Sequence, residues 1–216
     1  KYIRESFNWP YKVLIIGGLT GSGKTEILDT LENEGEQVLN LERIANHKGS
    51  AFGALGQAEQ PSNEHFENLI AQVWLSFNKE KVIWIEDESH SIGSVWIPDP
   101  LFAKMRASKV VQIECKHEER IQRLVNDYAR FPNEKLEHII QKISKRLGGQ
   151  NVKKAIEALE KEDYHVVAEI ALAYYDKTYT FGLNTRDKNS IFKLNTENSE
   201  ITDIKKALKE MKASLF

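Results

Sequence analysis

The chain has 216 residues, 41% hydrophobic and 29% charged, with a formal net charge of −2, a balance that fits one larger globular core or one core with a small helical appendage. No run approaches the ~18 apolar residues of a membrane span and no secretory leader opens the chain, so no membrane partner and a cytoplasmic location are expected. The single cysteine, Cys115, excludes an internal disulfide framework and a cysteine-only zinc site, and the start at Lys1 rather than Met suggests a piece of a longer protein.

Residues 11–17 (YKVLIIG) are a nearly continuous apolar run ending in glycine, the pattern of a strand buried on both faces. A helix is predicted from Lys24 to about Glu34, with Ile27, Leu28 and Leu31 at helical spacing and Gly35 as its stop. Residues 37–41 read as a second strand. Residues 43–60, which hold Gly49, Gly53 and Gly56, read as a long loop of the kind that is more often functional than accidental. Pro61-Ser62 opens a helix to about Asn78, with Ser62 as its N-cap. Residues 81–86 (KVIWIE) predict a third buried strand with acids at its end. Pro98-Asp99-Pro100 breaks the chain before a short helix, and residues 109–115 (KVVQIEC) predict a fourth strand. From His117 to about Leu183 the pattern is helical, broken at Pro132 and at Gly148-Gly149, with Asp163 placed to cap the last long helix. Residues 191–194 suggest a fifth strand. Ser199 is expected to cap a closing helix whose apolar positions are Ile204, Leu208 and Met211. Strands alternating with helices predict an α/β, P-loop NTPase-like three-layer fold: one domain over 1–216, a mostly parallel sheet of about five strands, and a helical insertion or lid over about 117–184.

The chemistry centres on Gly18-Leu-Thr-Gly-Ser-Gly-Lys-Thr25, a full match to G-x-x-x-x-G-K-[ST] between a strand and a helix. Gly18, Gly21 and Gly23 let the backbone wrap an anion, so that the N–H groups around Ser22 point inward with the helix N-terminus behind them. Lys24 supplies a mobile cation for the outer phosphates and a catalytic charge, and the Thr25 hydroxyl suits Mg²⁺. The motif reads phosphates and not the base; ATP, GTP and other diphosphates all fit. The acids that end the third strand, Glu86-Asp87-Glu88, are expected beside this loop. Glu86 stands at the position that would face Mg²⁺ together with Thr25, and Asp87 follows where a base would act. Which of the three acids works is open at this level.

Several segments together resemble one family. Gly17–Thr25 is followed by 45–56 (ANHKGSAFGALG), 60–67 (QPSNEHFE) and 84–89 (WIEDES) with Ile92-Gly93, then by 146–149 (RLGG) and 174–177 (YYDK). This set resembles the P-loop half of bacterial tRNA 2-selenouridine synthases over nearly the whole chain. The resemblance implies a tRNA-modifying transferase that converts wobble 2-thiouridine to 2-selenouridine through an S-geranyl intermediate, with geranyl diphosphate and then selenophosphate as co-substrates. It also implies a rhodanese-like domain with a reactive cysteine, supplied in cis upstream or in trans. Cys115 ends an apolar strand and reads instead as a small buried hydrophobe.

In such an enzyme His47, Lys48, Ser50 and His65, with Arg43, would contact phosphate or uridine; the plainer alternative is a set of solvated loop and helix-surface groups. Phe52, Phe66, Trp84, Trp96 and Phe102 are candidates for a geranyl pocket, with core packing the favoured alternative. Residues 116–154 carry ten Lys/Arg against five Asp/Glu, +5 in all, which leaves −7 for the rest of the chain and hints at a polyanion-binding face. Arg120, Arg123 and Arg146 there would meet phosphate or RNA, and Tyr174 and Tyr175 would stack on a splayed base. Two other readings stay open: an ATP-dependent small-molecule kinase, and a nucleotide-gated tRNA-binding module without catalysis of its own.

Overall fold

The computed structural model describes residues 2–216. In chain order the elements are α1 (Tyr2–Ser6), β1 (Val13–Gly18), α2 (Lys24–Asn33), β2 (Gln37–Leu39), α3 (Leu41–Ala45), α4 (Asn63–Ser76), β3 (Ile83–Glu86), β4 (Ser91–Ile92), β5 (Val95–Trp96), α5 (Asp99–Ala107) and β6 (Lys109–Glu114). There follow α6 (His117–Tyr128), α7 (Asn133–Lys142), α8 (Ser144–Leu147), α9 (Gly149–Glu160), α10 (Tyr164–Asn184), β7 (Ile191–Asn195) and α11 (Ile201–Leu215).

Five strands form one parallel sheet in the order β2-β3-β1-β6-β7, while β4 and β5 make a separate antiparallel hairpin. The sheet has the three-layer arrangement that the strand-helix alternation predicts. Because side chains alternate along a strand, β1 sends Val13 and Ile15 to one face and Leu14 and Ile16 to the other. The first face packs with Phe66, Ile70 and Trp74 of α4 and Leu101 and Met105 of α5. The second packs with Ile27, Leu28 and Leu31 of α2 and Leu208 of α11. With both faces covered, every residue of β1 and β3 is buried, which is why these strands read as unbroken apolar runs. The order reverses at β1, whose neighbours are β3 and β6. Open parallel sheets bind ligands at the carboxyl end of such a switch point, and the P-loop leaves β1 there.

Helices α6 to α10 assemble around cores of their own. One gathers Leu136, Ile140, Leu147, Leu159 and Val167, and Phe52 from the glycine-rich segment joins it. The other gathers Ile121, Leu124, Ala168 and Leu172.

Local signals account for most boundaries. The Ser62 hydroxyl accepts from His65 N (3.2 Å) at the start of α4, and Asp163 accepts from Val166 N (3.2 Å) at the start of α10. Three features differ from the sequence expectation. The predicted loop at 43–60 begins inside a helical turn, α3, because the Asn40 side chain accepts from Arg43 N at 2.8 Å and caps it. Glu200, not Ser199, stands at the N-cap of α11, and no side chain caps that helix. The hairpin β4–β5 has strands of only two residues, too short for a visible alternation.

Candidate functional site

The P-loop lines one wall of a cavity of about 780 Å³. Gly21 and Gly23 have φ of 79° and 88°, a left-handed backbone that glycine adopts without cost. Gly21 is confined from outside as well: a Cβ there would stand 2.8 Å from Leu124 Cδ1 and 2.9 Å from the Arg120 carbonyl. Lys24 Nζ donates to the carbonyls of Gly18 (2.6 Å) and Leu19 (3.3 Å), folded over the loop that it would otherwise extend from. The Ser22 hydroxyl is buried with no protein partner.

The acids divide into separate roles. Glu86, aligned with Ile16 of β1, accepts from the backbone N–H of Glu42 at 2.6 Å, and its second oxygen is buried without a partner. Burial, and Glu42 nearby, push its carboxyl up to about 8. Asp87 is bound elsewhere: Arg186 Nη2 donates to Oδ1 at 2.5 Å, the pair is almost fully buried, and Arg106 Nη1 stands at 3.8 Å. Asp87, expected as a base, does line the cavity, but there its two oxygens are taken by Arg186 and by the Tyr179 hydroxyl, and Glu86 faces the start of α3 rather than Thr25. The acid that Thr25 does reach is Glu42, with Oγ1 donating to Oε2 at 3.4 Å. Glu42 stands next to Glu88: their carboxyl oxygens would lie 2.6 and 2.9 Å from a Cβ at Gly49, and both line the cavity. Both carboxyls lie above the ordinary range: Glu88 through burial and then the charges of Glu42 and Glu86, Glu42 through burial against the pull of Lys24.

Two adjacent carboxyls beside a P-loop threonine suit Mg²⁺, a hard ion that prefers oxygen ligands and usually shares itself with substrate phosphates. Among the described residues no group of three or more His, Cys, Asp or Glu forms a closed metal site. The fitting set is the open one, Thr25, Glu42 and Glu88.

Helices α6 and α10 build the facing wall. Arg123 lines the cavity, donating to Gly21 O at 3.1 Å. Arg120, three residues earlier, is buried. It donates to Thr20 O (2.8 Å) and pairs with Asp176 (2.5 Å), so it fixes the loop instead of reaching for phosphate. The Tyr179 hydroxyl accepts from Gly18 N (2.8 Å) and has Gln112 Oε1 (3.0 Å) and Asp87 Oδ2 (3.2 Å) as acceptors. From the glycine-rich segment Lys48 and Ser50 reach the cavity; Lys48 pairs with Asp127 of α6 at 3.2 Å, and Ala51 N donates to the Tyr175 hydroxyl at 2.8 Å.

Of the remaining candidates only Phe102 belongs to the cavity lining. His47 is buried with Nδ1 unpartnered, and burial pushes its imidazole below the ordinary value, which keeps it neutral. His65 is exposed on α4 and, with Arg43, borders a different, smaller pocket. Arg146 is exposed at the end of α8. Tyr174 packs into the helical core beside Tyr175. Of the five aromatics, Phe66 and Trp84 are buried in the sheet cores and Phe52 in the helical one, Trp96 is exposed, and Phe102 lines the cavity. Burial pushes the Cys115 thiol up, with Arg123 Nη1 at 3.7 Å.

A family model described as "tRNA 2-selenouridine synthase AAA domain" matches residues 11–212. The chain belongs to this family. A tRNA 2-selenouridine synthase from Nitrosomonas europaea is 30% identical over 236 residues, covering 88% of this chain and 61% of that protein. One from Hydrogenovibrio crunogenus is 31% identical over 195 residues, covering 79% and 53%. A third, from Pseudomonas fluorescens, is 37% identical over 155 residues, covering 63% and 41%. The chain thus spans between about two-fifths and three-fifths of the length of these curated relatives. Within this AAA domain, no helix among the described residues is long and apolar enough to cross a membrane.

Sequence reasoning named Tyr175 beside Tyr174 as a base-stacking candidate but missed Glu42, His90, Arg106 and Tyr179. Only Tyr179 left a signal: spaced i, i+4 from Tyr175 on one helix, it shares that residue's face, and Tyr174 does not.

Proposed function

We propose that this chain is the diphosphate-binding half of a tRNA-modifying transferase that alkylates the sulfur of a wobble 2-thiouridine with geranyl diphosphate, on the way to 2-selenouridine. The observation that carries the reading is the single cavity, in a chain of this family, that joins an open P-loop, the Glu42–Glu88 pair and an apolar wall. The amides of residues 21–25 and Lys24 would hold the diphosphate, and Arg123 would add a second cation. Thr25, Glu42 and Glu88 would hold Mg²⁺, which when bound neutralises charge on the departing pyrophosphate. Leu124, Tyr128 and Tyr175 offer an apolar lining for the prenyl chain and exclude water from the reacting carbon. In the transfer, a sulfur–carbon bond forms at the allylic carbon, the carbon–oxygen bond to pyrophosphate breaks, and the uridine N3 proton is lost. The protein's part is position and charge.

The selenium step with selenophosphate needs a reactive thiolate that Cys115, half-buried and raised, does not supply. A rhodanese domain, joined upstream or acting in trans, is proposed to bring it. The test is a titration of geranyl diphosphate, ATP, GTP and selenophosphate, with and without 2-thiouridine tRNA, followed by mass spectrometry of the nucleosides. Geranyl diphosphate binding and an S-geranyl product that requires Mg²⁺ are expected. Turnover of ATP that ignores tRNA, with no binding of geranyl diphosphate, would replace this reading with a kinase.

A further inference from the structure

Besides the P-loop and the lining from α6, the cavity has a third wall built from the loop after β3, from α5 and from the end of α10. His90, Phe102, Arg106, Phe181 and Thr185 all line it. His90 lies flat on Phe102, with ring centroids 4.4 Å apart and planes 16° apart, and Trp96 meets His90 edge-on at 5.3 Å and 90°. His90 also stands 3.0 Å from Asp99, through Nε2. Arg106, one turn after Phe102, donates to the Gly182 carbonyl (2.8 Å) and the Thr185 hydroxyl (2.8 Å), which draws the end of α10 against α5. Phe181 sits at this junction with 76% of its surface exposed, and Trp96 with 54%.

Aromatic rings left exposed at the rim of a polar cavity are costly unless something covers them. The core accounts for Phe66 and Trp84 but not for Phe181. A prenyl chain would prefer an enclosed apolar wall such as Leu124, Tyr128 and Tyr175. A rim of flat rings, with Arg106 beside it and Arg123 on the same cavity, matches an unstacked nucleobase: a planar π-face next to an anionic backbone. The rim is continuous with the site where the transferred group would be held, as a base receiving that group requires.

We propose that the His90–Phe102 stack and Phe181 form the subsite for a nucleobase flipped out of the RNA substrate. The assignment rests on the transferase reading and names where its acceptor lies. The base enters between the α5 and α10 ends and presents its sulfur toward the P-loop, while Arg106 fixes the two walls that clasp it.

The test compares Phe181→Ala and Phe102→Leu with the wild-type chain. Phe181 is exposed, so its truncation leaves the fold intact. The probes are a stem-loop RNA carrying 2-thiouridine at the wobble position, the same RNA with an abasic site there, geranyl diphosphate and inorganic pyrophosphate. Loss of one stacking partner is expected to weaken the thiouridine stem-loop about tenfold. The abasic RNA and pyrophosphate should bind as before. Equal loss on both RNAs, or no loss on either, overturns the subsite while leaving the transferase reading intact. Weakened geranyl diphosphate with unchanged RNA would make the rim an isoprenoid pocket and also overturn it. A wild-type chain that binds neither RNA fails the transferase reading itself, and the subsite with it.

Discussion

Replacing Glu86 by Gln should shift stability in the variant's favour as pH rises. Glu86 is buried, accepts one backbone N–H from Glu42 and leaves its second oxygen without a partner. Its carboxyl is raised to about 8, first by burial and then by Glu42. The protonated side chain therefore favours the folded state: that contribution is whole below the unfolded value of 4.5 and declines as pH climbs from there to about 8. Over that window the folded chain holds about one more proton than the unfolded chain, a slope of ~1.36 kcal/mol per pH unit. Between about pH 5.5 and 7.5 the stability of Glu86→Gln relative to wild type should rise by ~2–3 kcal/mol. The amide keeps the acceptor for Glu42 N, but it places an NH₂ where the partnerless oxygen was, a pH-independent cost of ~1–3 kcal/mol. Urea denaturation at several pH values, with chelator present, isolates the pH-dependent part as the difference between the two proteins. A difference that stays flat with pH would refute the buried, protonated state of Glu86.

Three further outcomes are expected. Asp87→Ala should cost ~3–5 kcal/mol in urea unfolding, because it strands the buried Arg186 guanidinium; a loss under about 1 kcal/mol would restore Asp87 as a candidate for chemistry. Arg120→Ala should destabilise the chain on the same scale by stranding Asp176, whereas the more exposed Arg123→Ala should spare stability and weaken pyrophosphate binding; thermal melts paired with calorimetry separate the two. Glu42→Gln should abolish the gain in pyrophosphate affinity that Mg²⁺ gives while leaving metal-free affinity equal or higher, and an unchanged Mg²⁺ effect would remove Glu42 from the metal set.

The fold was legible where burial was two-sided. Strands β1, β3 and β6 left continuous apolar runs because helices cover both faces, and the P-loop was legible because its function needs fixed spacing. The acids show where reading stopped. Residues 86–88 stand together in sequence, yet Glu86 turns to the start of α3, Asp87 to Arg186 and Glu88 to Glu42. Partners 44 and 99 residues away decide the roles of Glu86 and Asp87, and no local pattern encodes them. Arg120 misled for a related reason: a charged residue in an amphipathic helix reads as solvated until Asp176 is seen to meet it. Glu42 was hidden because its helical turn depends on one capping contact from Asn40, which reads as part of the second strand.

The phosphate cradle is tested most directly by calorimetric titration of inorganic pyrophosphate with Mg²⁺ into the wild-type chain and into Lys24→Ala. Among the described residues the hydrogen bonds of Lys24 Nζ go to two carbonyls of its own loop, while its charge also faces Glu42 and Glu88, so thermal melts of both proteins accompany the titration. The account predicts saturable binding to the wild type, weakened at least tenfold in the variant. Equal affinity in two equally folded proteins would contradict it.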